Sequence, residues 1–137
     1  MSRFRTAGLA LLAGLTFAAL SRAGDNDLSF KHRGSEEKKF VTDVGEAIVK
    51  AAHGTAKKIS LVKYEYTHPK ANRTELVLKM EYHGLATDKK YLADIVVKID
   101  STDKEAWEVL NIDYADTNTA IKHNEKKIQE LIKRFNK

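Results

Sequence analysis

Two stretches, TELVLKMEY at residues 74–82 and YLADIVVKID at residues 91–100, decide the fold of this chain of 137 residues. In each stretch apolar residues recur at every second position. This is the side-chain period of a β-strand that buries one of its two faces. Only the short segment 83–90, which contains Gly84, separates them. The sequence therefore predicts two consecutive strands of an antiparallel sheet.

One antiparallel register satisfies both faces of this strand pair. When Leu78 lies opposite Ile95, apolar residues meet apolar residues and basic residues meet acidic ones, as cross-strand pairing favours. The other pairs are Leu76 with Val97, Met80 with Ala93, Tyr82 with Tyr91, Lys79 with Asp94, Glu75 with Lys98, and Val77 with Val96. We therefore expect the first set to face the core and the charged set to face outward. Ile95→Ala is then expected to cost about 2–5 kcal/mol of folding free energy.

Further strands flank this pair. Ile59 to Thr67 is rich in β-branched and aromatic residues, and a bulge near Ser60 is needed to bring Val62, Tyr64 and Tyr66 to the inner face. After the turn 101–105, Trp107 to Tyr114 is the last predicted strand. Its expected register sets Leu110 opposite Val97, Ile112 opposite Ile95, and Asp113 opposite Asp94.

Two amphipathic helices complete the predicted domain. The first covers about residues 35–53, with Ser35 as N-cap and Gly54 as the stop signal. The second begins after Thr117 or Asn118 as the cap. Its apolar stripe consists of Ile121, Ile128, Leu131, Ile132 and Phe135. The expected fold is α+β: a four-stranded antiparallel meander covered on one face by an N-terminal and a C-terminal helix, in a single domain over residues 35–135.

Residues 1–23 have the pattern of a secretory signal peptide. Arg3 and Arg5 precede an apolar run from Ala7 to Leu20, and Ser21-Arg22-Ala23 places small residues at the expected cleavage site. An uncleaved anchor is the alternative, although the run is short for a span of about 20 residues. We expect export to the periplasm or the exterior, no stable membrane span after cleavage, and a flexible arm or short edge strand at residues 24–34.

Removal of this segment changes the charge balance. The chain has 24 basic and 19 acidic residues, a net charge of +5, and residues 1–23 hold three arginines and no acid. The remainder has 21 basic and 19 acidic residues, which leaves +2. A charge this small does not favour nucleic-acid binding, which needs a concentrated basic surface.

The sequence offers little catalytic chemistry. It has no cysteine, so thiol catalysis and thiolate metal sites are excluded. Its five histidines have no metal-ligand spacing, and it contains neither a nucleophile elbow nor a phosphate-binding glycine loop. No cofactor or metal is therefore expected. His53 and His83 are expected at the same end of the sheet.

A charged cluster is the first candidate site. The expected register brings Asp94 and Asp113 together on the outer face, with Lys79 on the other side of Asp94. Two adjacent carboxylates can share a proton or bind a cation, as a small hydrolase or isomerase would need. The alternative is an exposed cluster that Lys79 neutralises, which contributes little.

An apolar patch is the second candidate site. Trp107 is expected on the outer face near Asp100, where an exposed Trp would be a binding anchor; packing at the sheet edge is the alternative. With Leu92, Val96 and Val109 it would form a contiguous apolar surface for a partner.

The order of one helix and a four-stranded meander resembles the cystatin arrangement, in which a sheet wraps a helix. Cystatins inhibit cysteine proteases with an N-terminal glycine segment, a Q-x-V-x-G hairpin and a Pro-Trp hairpin. Here the first hairpin reads HPKAN at residues 68–72, and the second retains Ala106-Trp107. The resemblance implies a protease inhibitor in which Trp107 and the Pro69 hairpin form a wedge. The stretch 89–114 is also similar to small, uncharacterised exported bacterial proteins.

Taken together, the sequence predicts a secreted or periplasmic, non-enzymatic binding module for an unknown protein or small ligand. A cystatin-like inhibitor and a small enzyme that uses the carboxylate pair are the alternatives.

Overall fold

The fold is taken from a computed structural model that describes residues 28–32, 37–85 and 89–137. The elements in chain order are helix α1 (Glu37–Ala52), strands β1 (Lys57–Lys70), β2 (Arg73–His83), β3 (Lys90–Asp100) and β4 (Glu108–Asp116), and helix α2 (Glu125–Phe135). The four strands form one antiparallel sheet in the order β1-β2-β3-β4. The α+β prediction is therefore confirmed. In this part of the chain no helix has the length and apolarity needed to cross a membrane.

The predicted register of β2 and β3 is confirmed over its whole length. Leu78 lies opposite Ile95, and Lys79 lies opposite Asp94. The inner-face residues of both strands are buried in the core, except Tyr91, which is half-buried. On the outer face, Lys79 Nζ lies 3.6 Å from Asp94 Oδ1, so the expected ion pair also forms.

The predicted register of β4 is wrong by one residue at its start and by two residues from Asn111 onward. The register shifts between Lys98 and Ile99 of β3, because Lys98 pairs with Asn111 and Ile99 pairs with Val109. Leu110 is the additional residue of this bulge and is 44% exposed, whereas Val109 turns into the core. Beyond the bulge, Tyr114 lies opposite Ile95, where Ile112 was expected.

Strand β1 is irregular, as predicted. Its register shifts between Lys57 and Ser60, which confirms the bulge near Ser60, and Lys58 adopts a positive φ of 53° there. A second shift, between Leu61 and Lys63, was not predicted. It turns Val62 outward, with 49% of its surface exposed, so the expectation that Val62 faces the core is wrong.

Helix α1 lies directly on β2. It buries Phe40, Val44 and Ile48 as predicted, together with Val41 and Val49. Gly45 also faces the sheet, and a Cβ atom there would come within 2.9 Å of the Leu78 side chain and even closer to Met80. The absence of a side chain at Gly45 therefore allows the close approach of the helix to the sheet.

Helix α2 begins later than predicted. Its N-cap is Asn124, whose side chain accepts a hydrogen bond from the Lys127 amide at 3.1 Å. Thr117 and Asn118 instead belong to the loop after β4. Ile121 therefore lies outside the helix and is 61% exposed, whereas Ile128, Leu131 and Phe135 are buried as expected.

The described part of the N-terminal arm, Leu28 to His32, packs against the core. Phe30–His32 forms a single 3-10 turn where a flexible arm or edge strand was expected. The Phe30 ring contacts the rings of Phe40 and Phe135 edge-on, with centroids 5.0 and 5.4 Å away. The predicted signal peptide and the Ser35 cap lie outside the described residues.

Candidate functional site

The most unusual feature of the core is a buried carboxylate at the end of β4. Asp116 Oδ2 accepts hydrogen bonds from His53 Nε2 at 2.8 Å, the Tyr82 hydroxyl at 2.9 Å and the Tyr114 hydroxyl at 2.8 Å. Its second oxygen accepts from the Asn118 amide at 2.9 Å. We call these four side chains, Asp116, His53, Tyr82 and Tyr114, the Asp116 network.

Three elements bring the network together. His53 directly follows α1, where its amide still donates to the Val49 carbonyl at 2.8 Å. Tyr82 lies near the end of β2 and faces inward like the rest of that strand's core residues. Tyr114 and Asp116 are two residues apart on β4 and therefore share a face. The register shift at Leu110 places Tyr114 opposite Ile95 and Asp116 opposite Ala93, both on the inner face.

The network is almost completely shielded from solvent. The side chains of His53 and Asp116 are 6% and 3% exposed. Burying a carboxylate is costly unless hydrogen bonds satisfy it, and here four donors do so. The His53 ring also stacks on Tyr82, with centroids 5.5 Å apart. Because His53 is hydrogen-bonded to Asp116 of β4 and stacked on Tyr82 of β2, the network fixes the C-terminal end of α1 against the sheet.

The two tyrosines should make the fold sensitive to alkaline pH. The pKa values of Tyr82 and Tyr114 are both raised above the ordinary value of 10.0. Burial is the larger cause, and the hydrogen bond to Asp116 is the second. Below pH 10 the folded and unfolded chains hold the same tyrosine protons. Above pH 10 the unfolded chain loses these protons first, so the free energy of unfolding should fall as the pH rises.

Urea unfolding of the full chain as a function of alkaline pH measures this effect. The decline should be less steep in Tyr82→Phe, because one of the two groups can no longer ionise in the unfolded state. An equal slope in the parent and the variant would contradict the assignment of Tyr82 to a buried, neutral hydroxyl.

A cleft of about 450 Å³ opens beside the network. Its walls come from the end of α1, the end of β2, the start of β3, and the loop between β4 and α2. The lining residues are Ala51, Ala52, His53, Gly54, Thr55, Ala56, Tyr82, Gly84, Leu85, Tyr91, Asn118, Ile121, Lys122, Asn124 and Lys127. His53 and Tyr82 belong both to this cleft and to the Asp116 network, so the network forms part of its wall.

The wall of the cleft carries both polar and aromatic groups. His53 Nε2 is committed to Asp116, which fixes the imidazole orientation, and Asn118 and Asn124 add amide groups at the wall. Tyr91 adds an aromatic surface, with its ring 5.4 Å from that of Tyr82. Among the described residues, no group of three or more His, Asp or Glu side chains is placed to hold a metal ion.

The predicted carboxylate pair does not form. Because of the register shift, Asp113 lies opposite Val96 and not opposite Asp94. Asp113 pairs with Lys98 at 3.2 Å, and Asp94 pairs with Lys79 at 3.6 Å. Each carboxylate therefore has its own lysine on an exposed sheet face.

The predicted apolar patch is also divided. Trp107 is half-buried and packs edge-on against Tyr66, with centroids 5.8 Å apart, so its expected position on the outer face is wrong. Val109 lies in the core at 2% exposure. Of the four residues, Leu92, at 37% exposure, and the half-buried Val96 remain on the outer face.

Asp116 and its tyrosine partners were not predicted from the sequence as site residues. His53 and His83 were expected at this end of the sheet, and of these two only His53 lines the cleft. One available signal was the spacing of Tyr114 and Asp116. A polar residue two positions after a buried aromatic, on the same strand face, must be satisfied by other buried groups.

Comparison of this chain with protein-family models, with curated proteins and with solved structures found no match to any of them.

Proposed function

We propose that this protein is an exported, non-enzymatic binding protein that holds a small organic molecule in the cleft beside the Asp116 network. The observation that carries this proposal is the cleft itself. Its volume of about 450 Å³ falls within the range of roughly 300–1,000 Å³ that is typical of small-molecule sites. Its wall combines aromatic and small apolar side chains with a few polar groups, which is the usual composition of such sites.

The rigidity of the wall supports the same proposal. His53 is held by a hydrogen bond to a buried carboxylate, and the backbone amide of Asn124 donates to the Ala52 carbonyl at 2.9 Å between two residues that line the cleft. A preformed wall binds more tightly because less conformational freedom is lost on binding. The outer face of the sheet, by contrast, carries exposed ion pairs such as Lys79–Asp94 and Lys98–Asp113.

Export is proposed from residues 1–23 alone. Their basic start, apolar run and small residues before Gly24 have the order of a secretory signal. Ligand binding would then take place outside the cytoplasm.

An NMR titration of residues 24–137, the chain without the predicted signal peptide, tests the binding proposal. The probes are phenol, benzamide, benzoate and benzylamine, which share one ring and differ in polar group and charge. At least one of them should shift the amide signals of Gly54, Gly84 and Asn118 and leave those of Lys79 and Asp113 unchanged.

A variant that fills the cleft provides the control. Gly54 lines the cleft, and a Cβ atom at this position would contact nothing within 4 Å, so Gly54→Trp should fold and obstruct the cleft. It should abolish the shifts, whereas Val62→Trp on the outer face should retain them. If no probe shifts the cleft amides, or if Gly54→Trp binds as the parent does, the proposed function is wrong.

A further inference from the structure

The cleft is positively charged, and this indicates the class of ligand it takes. Lys122 and Lys127 line it, and no Asp or Glu is among its lining residues. Both lysines are exposed, and neither forms an ion pair with a carboxylate among the described residues. Their charges are therefore available to a ligand in the cleft.

The two carboxylates closest in sequence to Lys122 are already engaged. Asp116 lies behind the wall, where it accepts four hydrogen bonds. Glu125 lies near the ring nitrogen of His123 at 3.1 Å and accepts from Gln129 at 2.8 Å. Neither has to be displaced when an anion enters.

The backbone around the cleft is compatible with negative charge. The N-terminal end of α2 reaches the cleft at Asn124, and a helix N-terminus carries a partial positive charge. The C-terminal end of α1 also reaches it, and its partial negative charge would oppose an anion. However, the Ala52 and His53 carbonyls there accept hydrogen bonds from the Asn124 and Ala56 amides at 2.9 Å each.

The rest of the cleft is apolar. Leu85 and Ile121 are 63% and 61% exposed, the two highest values among the exposed large hydrophobic residues of the described chain, and both line this cleft. They come from different loops, and the Tyr91 ring lies in the same wall. Exposed apolar side chains on two loops beside one cleft are typical of a binding site that contacts the apolar part of a ligand.

From this arrangement we propose that the ligand class is an organic carboxylate with an apolar body. Its carboxylate interacts with Lys122 and Lys127, and its body lies against Leu85, Ile121 and Tyr91. This inference rests on the proposed function, since it names the ligand class of the same cleft.

The test compares benzoate with benzamide and benzylamine in the same NMR titration, because the three share a ring and differ in charge. Benzoate can pair its charge with both lysines, whereas benzamide is neutral, so benzoate should bind about tenfold more tightly than benzamide. Benzylamine should bind most weakly. Added salt should weaken the binding of benzoate and leave that of benzamide nearly unchanged.

Charge-removing variants locate the effect. Lys122→Gln combined with Lys127→Gln should reduce the affinity for benzoate to that for benzamide. Lys126→Gln is the matched control, because Lys126 lies beside Lys127 in α2 and does not line the cleft. It should retain the tenfold preference.

The outcomes separate this inference from the proposed function. If benzamide occupies the cleft as well as benzoate does, or if the double variant keeps the preference, the ligand class is wrong and the binding cleft stands. If none of the probes reaches the cleft, the proposed function and this inference are both overturned.

Discussion

Asp116→Ala is expected to lower the free energy of unfolding by about 3–5 kcal/mol, because each buried polar group left without a partner costs about 1–3 kcal/mol. The loss arises because His53, Tyr82 and Tyr114 would keep their buried polar groups and lose the acceptor that all three share. Urea unfolding followed by circular dichroism measures the change.

Asp113→Ala is the matched control for this prediction. Asp113 lies on the same strand, with its side chain 53% exposed and paired with Lys98 on the outer face. An exposed pair contributes less than about 1 kcal/mol, so this variant should remain close to the parent. Asp116→Asn should have an intermediate effect, since its amide oxygen still accepts. Equal losses in Asp116→Ala and Asp113→Ala would contradict the buried network.

Ile95→Ala should lower the free energy of unfolding by about 2–5 kcal/mol, the cost of a core cavity. Ile95 is fully buried between Leu78 of β2 and Tyr114 of β4, on the sheet face that both helices cover. The same substitution at Leu110, which is 44% exposed, should cost less than about 1 kcal/mol, since surface positions seldom exceed roughly 0.5 kcal/mol. A loss well under 2 kcal/mol for Ile95→Ala would mean that this face is not the core.

The central strands could be predicted from the sequence because their two faces carry independent signals. The alternation that buries Leu76, Leu78 and Met80 also places charged residues of opposite sign together on the other face. Any register shift would have broken both patterns at once. The helices were predicted for a similar reason, since each has one apolar stripe.

The last strand was mispredicted because its pattern contains a bulge. Val109, Leu110 and Ile112 are all apolar, and strict alternation selects Leu110 and Ile112 as the inward pair. The structure instead buries Val109 and Ile112 and leaves Leu110 exposed. A bulge inserts one residue without an obvious change in composition, so alternation alone could not locate it.

The site was missed for a different reason. Asp116 lies on the inner face two residues after Tyr114, and an apolar pattern never selects an acidic residue for the core. His53 and Asp116 are 63 residues apart in the chain, so no local motif joins them. Burial of the pair depends on the tertiary positions of α1 and β4, which only the folded structure shows.

The central claim is that the cleft beside the Asp116 network binds an organic carboxylate. A crystal structure of residues 24–137 with benzoate tests this claim most directly. We predict that the carboxylate lies beside the Lys122 and Lys127 ammonium groups, with the ring against Tyr91, while His53 Nε2 remains bonded to Asp116. Benzoate bound only on the outer face of the sheet, or a cleft filled by the protein's own side chains, would contradict this account.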